Sequence, residues 1–392
     1  MDTLLPAFAD SLNVRQRLEQ IQAWHDQWEA TTALLDQRID SLDLTKPGSV
    51  LRGAQLTRWQ QRMRRTLIQV PLSLAPEVIQ HRGYEAIRHE LRSQFASLSR
   101  EERLWWLYNF LFLLTPDLRR LDEKITRVRG FRSLGQQRNF LLGGVSGMGK
   151  STFLDWYTMR QQPTIETEAS HVPIVKIDAP VSNRSPKSLF QRMILECGMV
   201  YFGGDSEEDL LMKLGIYFRK CRVELLIVDE VEHIQHPDLR RRLLEVSNLT
   251  HGMPILCSSC QPLHWIEGDS EVAGRWNDYF ELVPYSGERL QQLLAFIELF
   301  LPFTEPSHLA QVCLTTAEGN LVDGPARLIE QWTGGVLRDI MVLLIDASTR
   351  AIEQGASHLS VNQLTTTWQG IQTQPTADFI QVLKASQKRI SH

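Results

Sequence analysis

Gly144-Val145-Ser146-Gly147-Met148-Gly149-Lys150-Ser151 fits the phosphate-loop pattern G-x-x-x-x-G-K-[ST] at every fixed position. The glycines let the backbone wrap with its N–H groups inward, and a helix that follows such a loop adds its N-terminus, so the two together cradle a phosphate. In this pattern Lys150 reaches the β/γ-phosphates and the Ser151 hydroxyl ligates Mg²⁺. Val145, Ser146, Met148 and Thr152 complete the stretch that touches the nucleotide. The surroundings agree with the motif. Asn139 to Leu142 reads as a strand entering the loop, and Thr152 to Tyr157 as a helix leaving it. The implied ligands are ATP and Mg²⁺.

A phosphate loop needs an acidic partner, and the chain supplies one about 80 residues on. Val223 to Val228 is a continuous apolar run ending in Asp229-Glu230, the signature of a parallel strand buried on both faces. Asp229 would hold the Mg²⁺ water shell and Glu230 would orient or polarise the attacking water. A further strand over Met253–Cys257 ends in Ser258-Ser259. A hydroxyl there lies beside the γ-phosphate if this strand runs between the other two.

Composition sets the frame for these motifs. With 392 residues and 43% hydrophobic content, the chain has room for two or three domains, each with its own core. The N-terminus lacks a basic region followed by an apolar run, and no apolar stretch approaches the ~18 residues of a membrane span. The longest, Leu104 to Leu114, reads as a buried helix. No membrane partner and a cytoplasmic location are expected. The five cysteines form no disulfide framework, and the lone C-x-x-C of Cys257 and Cys260 reads as two small core residues.

The net charge of -4 is unevenly spread. Residues 1–50 carry 4 Lys+Arg against 8 Asp+Glu, residues 51–135 carry 16 against 8, and the remainder 22 against 30. In the basic block, Arg52, Arg58, Arg62, Arg64 and Arg65 are interleaved with Trp59. That spacing suits both a helix tracking a phosphate backbone and a solvated helix face.

Apolar residues at three- and four-residue steps predict one or two helices over Ser11–Leu42. Thr45 to Ser49 is a linker signal, and helical patterns follow at about 54–69, 84–96 and 100–114. Ser99 with Glu102 forms a capping box for the last of these. Beyond the phosphate loop, strand-like Val172–Ile177 alternates with helices over Ser188–Tyr201 and Glu207–Arg219. After the polar stretch Gly268–Trp276, Leu282-Val283-Pro284 reads as a short strand and the rest as helical, with Gly334-Gly335-Val336-Leu337-Arg338 opening a helix. The expected architecture is α/β: residues 1–130 an all-helical N-terminal domain, 131–285 a P-loop core with a parallel sheet, 286–371 a small helical lid, and 372–392 a tail.

With these residues in view, the region from about 136 to 370 resembles the AAA+ ATPases, and among them the TniB/TnsC family of transposition regulators, relatives of MuB and IstB. The resemblance rests on Pro173–Ile177 followed by Pro186-Lys187-Ser188-Leu189-Phe190, on Val223–Glu230, on Arg275-Trp276, and on Gly335–Arg338 leading into Ala351-Ile352. It does not extend over the N-terminal helices.

The resemblance implies that Ser259 is the polar sensor 1 residue. Arg275 is then the finger presented to a neighbouring subunit's nucleotide, and Arg338 the sensor 2 arginine of the lid. Lys187 and Ser206 fall in segments that line the DNA-facing inside of the oligomer. It also implies a hexameric ring or helical filament on duplex DNA, a transposase, and a target-selection protein of the TniQ/TnsD kind as partners, with hydrolysis driving disassembly. Two other classes share the core: a nucleotide-gated signalling or scaffold ATPase that does not bind DNA, and a helicase-loader-type ATPase.

Overall fold

The computed structural model describes residues 13–43, 45, 49, 53, 56–57, 80–109, 113–131, 138–161, 164–165, 170–179, 186–234, 237–267, 273–315 and 318–373. In chain order these form α1 (Val14–Asp40), α2 (Tyr84–Ala96), α3 (Arg100–Tyr108), α4 (Pro116–Phe131), β1 (Asn139–Gly143), α5 (Lys150–Arg160), β2 (Thr164–Ile165) and β3 (Ser170–His171). Then come β4 (Ile174–Asp178), α6 (Pro186–Glu196), α7 (Glu207–Lys220), β5 (Leu225–Asp229), α8 (Pro237–Leu249), β6 (Ile255–Ser258), α9 (Pro262–Ile266) and β7 (Trp276–Glu281). The chain finishes with α10 (Gly287–Phe300), β8 (Cys313–Thr315), β9 (Leu321–Asp323), α11 (Pro325–Thr333), α12 (Leu337–Glu353) and α13 (Val361–Thr373). Among the described residues no helix is long and apolar enough to cross a membrane.

The chain divides into two compact units, residues 1–79 with 109–284, and residues 80–108 with 285–392. The first is built on a five-stranded sheet in the order β4-β5-β6-β1-β7, every neighbouring pair parallel. All five residues of β1 and of β5 are buried, which is why both read as unbroken apolar runs. Helices α5 and α6 pack on β4, and α4 and α9 on β1. The strand carrying Ser258 lies between the P-loop strand and the acidic strand, as the sequence condition for Ser259 requires.

The second unit joins sequence-distant helices. Its α2 buries Ile87, Leu91 and Phe95, and α3 buries Trp106. Trp106 Nε1 donates to the Phe300 carbonyl at 2.8 Å, and the Tyr84 hydroxyl donates to the Ala295 carbonyl, both on α10. These contacts divide the helical segment expected as one N-terminal domain over 1–130: α1 and α4 belong to the first unit, α2 and α3 to the second. Gly334, in the left-handed conformation, ends α11. Gly335 follows at φ 74, where an added Cβ would lie 1.9 Å from the Tyr285 carbonyl oxygen. Only glycine fits this approach, and the Tyr285 amide bonds Gly335 O at 2.9 Å. The Gly335–Arg338 segment is therefore held at the start of α12.

Three sequence readings are corrected. The helix expected over 100–114 ends at Tyr108, and Asn109 is buried within hydrogen-bonding distance of His25, 3.3 Å away. The strand expected at Leu282–Pro284 is instead β7, over Trp276–Glu281. Leu282 still donates to Gly143 O at 3.0 Å, but Pro284 has no N–H to continue the ladder. Cys257 is buried as expected whereas Cys260 is exposed, and all five cysteines are free thiols. The basic stretch from Arg58 to Arg65, Glu271 and most of the C-terminal tail lie outside the described residues.

Candidate functional site

In a parallel sheet the carboxyl ends of all strands lie on one edge, and ligands bind there. The P-loop follows β1 at that edge, Asp229 and Glu230 close β5, and Ser259 follows β6 between them. The register aligns these ends: Leu142 pairs with Ser258, Val228 with Cys257, and Asp178 with Asp229.

The loop is held open by backbone geometry. Gly144 has φ 139, and a Cβ there would meet the Leu282 carbonyl oxygen at 2.5 Å. Gly147 and Gly149 have φ 87 and 86. Gly149 is the N-cap of α5 and offers no side-chain cap, so a bound anion can take the hydrogen bonds of the first helical N–H groups. The Lys150 ammonium folds back onto the Gly144 carbonyl and onto that of Val145 at 3.1 Å, with Cys260 Sγ at 3.9 Å. A cation inside a curl of donors, ahead of an uncapped helix, fits nucleotide phosphates.

Asp229 is 2% exposed, and its Oδ1 accepts the Glu230 amide at 3.0 Å. Glu230 is exposed, adopts φ 56, and its carboxylate is 3.8 Å from His233 Nε2. A non-glycine residue in the left-handed region at the end of the acidic strand is the kind of backbone outlier found at working sites. The buried carboxylate suits a metal and the exposed one suits water. Mg²⁺ in P-loop sites is held by one or two protein oxygens together with phosphate oxygens. Ser151 and Asp229 are the donors offered, and no cluster of three or more metal-binding residues occurs among the described residues. Ser259 is 1% exposed, its amide bonds Leu142 O at 3.1 Å, and its hydroxyl accepts the Gln261 amide at 3.1 Å.

A cluster that the motifs did not indicate lies beside Asp229. Lys176 on β4 is 3% exposed, with Nζ 2.9 Å from Asp155 on α5, 3.1 Å from Asp178 and 3.7 Å from Asp229. Burial opposes its charge, but Asp155, Asp229 and Asp178 together outweigh that and hold the ammonium above the ordinary lysine range. The available signal was a lysine inside an otherwise apolar strand, Ile174-Val175-Lys176-Ile177.

The remaining sequence candidates are more dispersed. Arg275 is exposed in the turn before β7. Arg338 is exposed at the start of α12 in the second unit and bonds Asp339 at 2.9 Å. Lys187 is half-buried in the first turn of α6. Ser206 is the N-cap of α7: its hydroxyl accepts the Asp209 amide at 3.1 Å and donates to the Asp209 carboxylate at 2.6 Å. That is a helix-capping role, and Ser206 remains exposed at the start of α7.

Comparison with known proteins covers part of the chain. No curated protein matches it. Solved structures with likeness include the ORC2 protein of Aeropyrum pernix in ADPNP–ADP complexes, at 18% identity and TM-score 0.44, covering 65% of this chain and 68% of that one. Another is Drosophila ORC bound to DNA, at 14% identity and TM-score 0.44, covering 72% of this chain and 65% of that one. A third is Cdc6p from Pyrobaculum aerophilum, at 14% identity and TM-score 0.43, covering 62% and 64%. This chain thus spans about two thirds of the length of each. The family model of the AAA domain matches residues 132–264, which contain β1 to β6, the phosphate loop and the acidic strand end. The match and the five-stranded parallel sheet give this region the AAA+ P-loop fold.

Proposed function

We propose that the protein is an ATP-dependent regulator of DNA transposition that oligomerises on duplex target DNA and links target selection to a transposase. The observation that carries the enzymatic part is the shared sheet edge, with Lys150 and Ser151 on one side of Ser259 and Asp229 with Glu230 on the other. There the P-loop binds ATP with Mg²⁺, Asp229 supports the metal, and Glu230 activates the water that attacks the γ-phosphate. Arg275 acts in trans on the neighbouring subunit's nucleotide and Arg338 acts from the lid. Hydrolysis thus depends on assembly and drives disassembly.

The transposition assignment rests on the TniB/TnsC-like segments, of which the Gly335–Arg338 turn has a physical basis in its contact with Tyr285. DNA is held by its phosphates, so binding is salt-dependent and largely independent of sequence. Lys187 and Ser206 are the DNA-facing candidates. The N-terminal helices and the tail from about residue 372 are the segments offered to the transposase and to a TniQ/TnsD-like selector, in the cytoplasm.

A second reading, a nucleotide-gated scaffold that does not bind DNA, is favoured by the acidic balance of residues 136–392, 22 Lys+Arg against 30 Asp+Glu. Electron microscopy of the full chain with duplex DNA separates the two. Rings or filaments that require both a non-hydrolysable ATP analogue and Lys150 support the DNA assembly. Particles that stay monomeric on DNA in every condition favour the scaffold.

A further inference from the structure

One ammonium faces three carboxylates at the edge of the sheet. Alternation along β4 places Lys176 and Asp178 on the same face, and the register sets them beside Ile227 and Asp229 of β5. Asp155 arrives from α5, the helix that begins at Lys150. The Lys176 side chain is therefore a bridge between the helix that starts at the phosphate loop and the strand that carries the metal-binding carboxylate. With only 4% of the side chains of Lys176 and Asp229 exposed, little water screens this contact.

Of the three contacts that Lys176 makes in the cluster, the one to Asp229, at 3.7 Å, is the longest. Lys176 is bonded more closely to Asp155 and Asp178, so the Asp229 carboxylate keeps much of its capacity for a second cation.

We propose that Lys176 is a positioning residue of the Mg²⁺ site, which aims the Asp229 carboxylate and sets the share of its charge available to the metal. Asp155 is the counterweight: by drawing the ammonium toward α5 it keeps Asp229 from being neutralised. Asp229 already has one oxygen engaged by the Glu230 amide, and Lys176 faces the other. Placement of the metal ligand is thereby linked to the position of the P-loop helix. This inference rests on the reading of the edge as an ATP–Mg²⁺ site.

The test is the Mg²⁺ concentration at half-maximal binding of the fluorescent nucleotide mant-ATP to the full chain. It is measured for the wild type, Lys176→Met, Asp155→Asn and the charge-paired double variant Lys176→Met/Asp155→Asn, with thermal melting alongside. Lys176→Met should lower the Mg²⁺ midpoint by about tenfold, because a point charge under 4 Å from Asp229 is gone. Asp155→Asn should raise it, because Lys176 then turns to Asp229. The double variant, whose net charge equals that of the wild type, should fall with Lys176→Met and keeps the test valid if the single lysine variant does not fold. An unchanged midpoint in the folded variants, with only the melting temperature lowered, would show a structural ion pair and overturn the proposal. A wild type that binds no mant-ATP at any Mg²⁺ concentration overturns the ATP–Mg²⁺ reading itself, and this inference with it.

Discussion

Two buried charges, one in each unit, are held in opposite ways. Glu298 on α10 of the second unit is 9% exposed and its carboxylate receives the amides of Ser307, His308 and Leu309 at 3.0, 3.2 and 2.8 Å, with Arg92 at 3.3 Å. One guanidinium balances its charge and three fixed backbone donors fill its oxygens. Lys176 in the first unit instead meets three carboxylates, at 2.9, 3.1 and 3.7 Å. A carboxylate filled by fixed backbone donors locks a turn in place, whereas one shared by a lysine and a neighbouring amide is placed by side chains that a ligand can compete with. The difference agrees with the proposed ATP site at the sheet edge and with a scaffold role for the Glu298 network.

The comparison can be broken at either end. The largest effect is expected at the edge. Glu230→Gln, which leaves the fold and Lys150 untouched, should slow ATP hydrolysis by about 10²–10⁴-fold while ATP is still bound, as a single-turnover assay would show. Full activity in that variant would remove Glu230 from the chemistry. In the second unit the change appears in stability. Glu298→Ala strands three amides and the partly buried Arg92, and should cost about 3–5 kcal/mol in denaturant unfolding of the second unit. Nucleotide affinity measured below the transition should stay unchanged, and a large loss of affinity would mean that the scaffold role is wrong. The smallest effect is expected from Ser206→Ala, about 1 kcal/mol of stability for a lost cap. A loss of DNA binding beyond that loss of stability would place Ser206 on the DNA-facing surface.

The contrast also explains what was legible in the sequence. The phosphate loop and the acidic strand end could be read because their chemistry demands fixed residue types at fixed spacing, and the sheet order then placed Ser259 between them. The assignment of α2 and α3 to the second unit was hidden, because it depends on Trp106 and Tyr84 meeting α10 about 200 residues away. The β7 strand was missed because Trp276-Asn277-Asp278-Tyr279-Phe280-Glu281 mixes polar and aromatic residues at the sheet margin, while the apolar Leu282-Val283 beside it drew the strand reading. Lys176 was overlooked because a lone lysine in a strand gives no sign of the three carboxylates that the fold brings to it.

The most direct test of the central claim, that the edge of the sheet is an ATP site, is calorimetric titration of ATP with Mg²⁺ into the wild type and Lys150→Ala. The account predicts one site per chain in the wild type and a loss of about 2–5 kcal/mol of binding free energy in the variant. Equal affinity in both proteins, or no binding to the wild type, would contradict it.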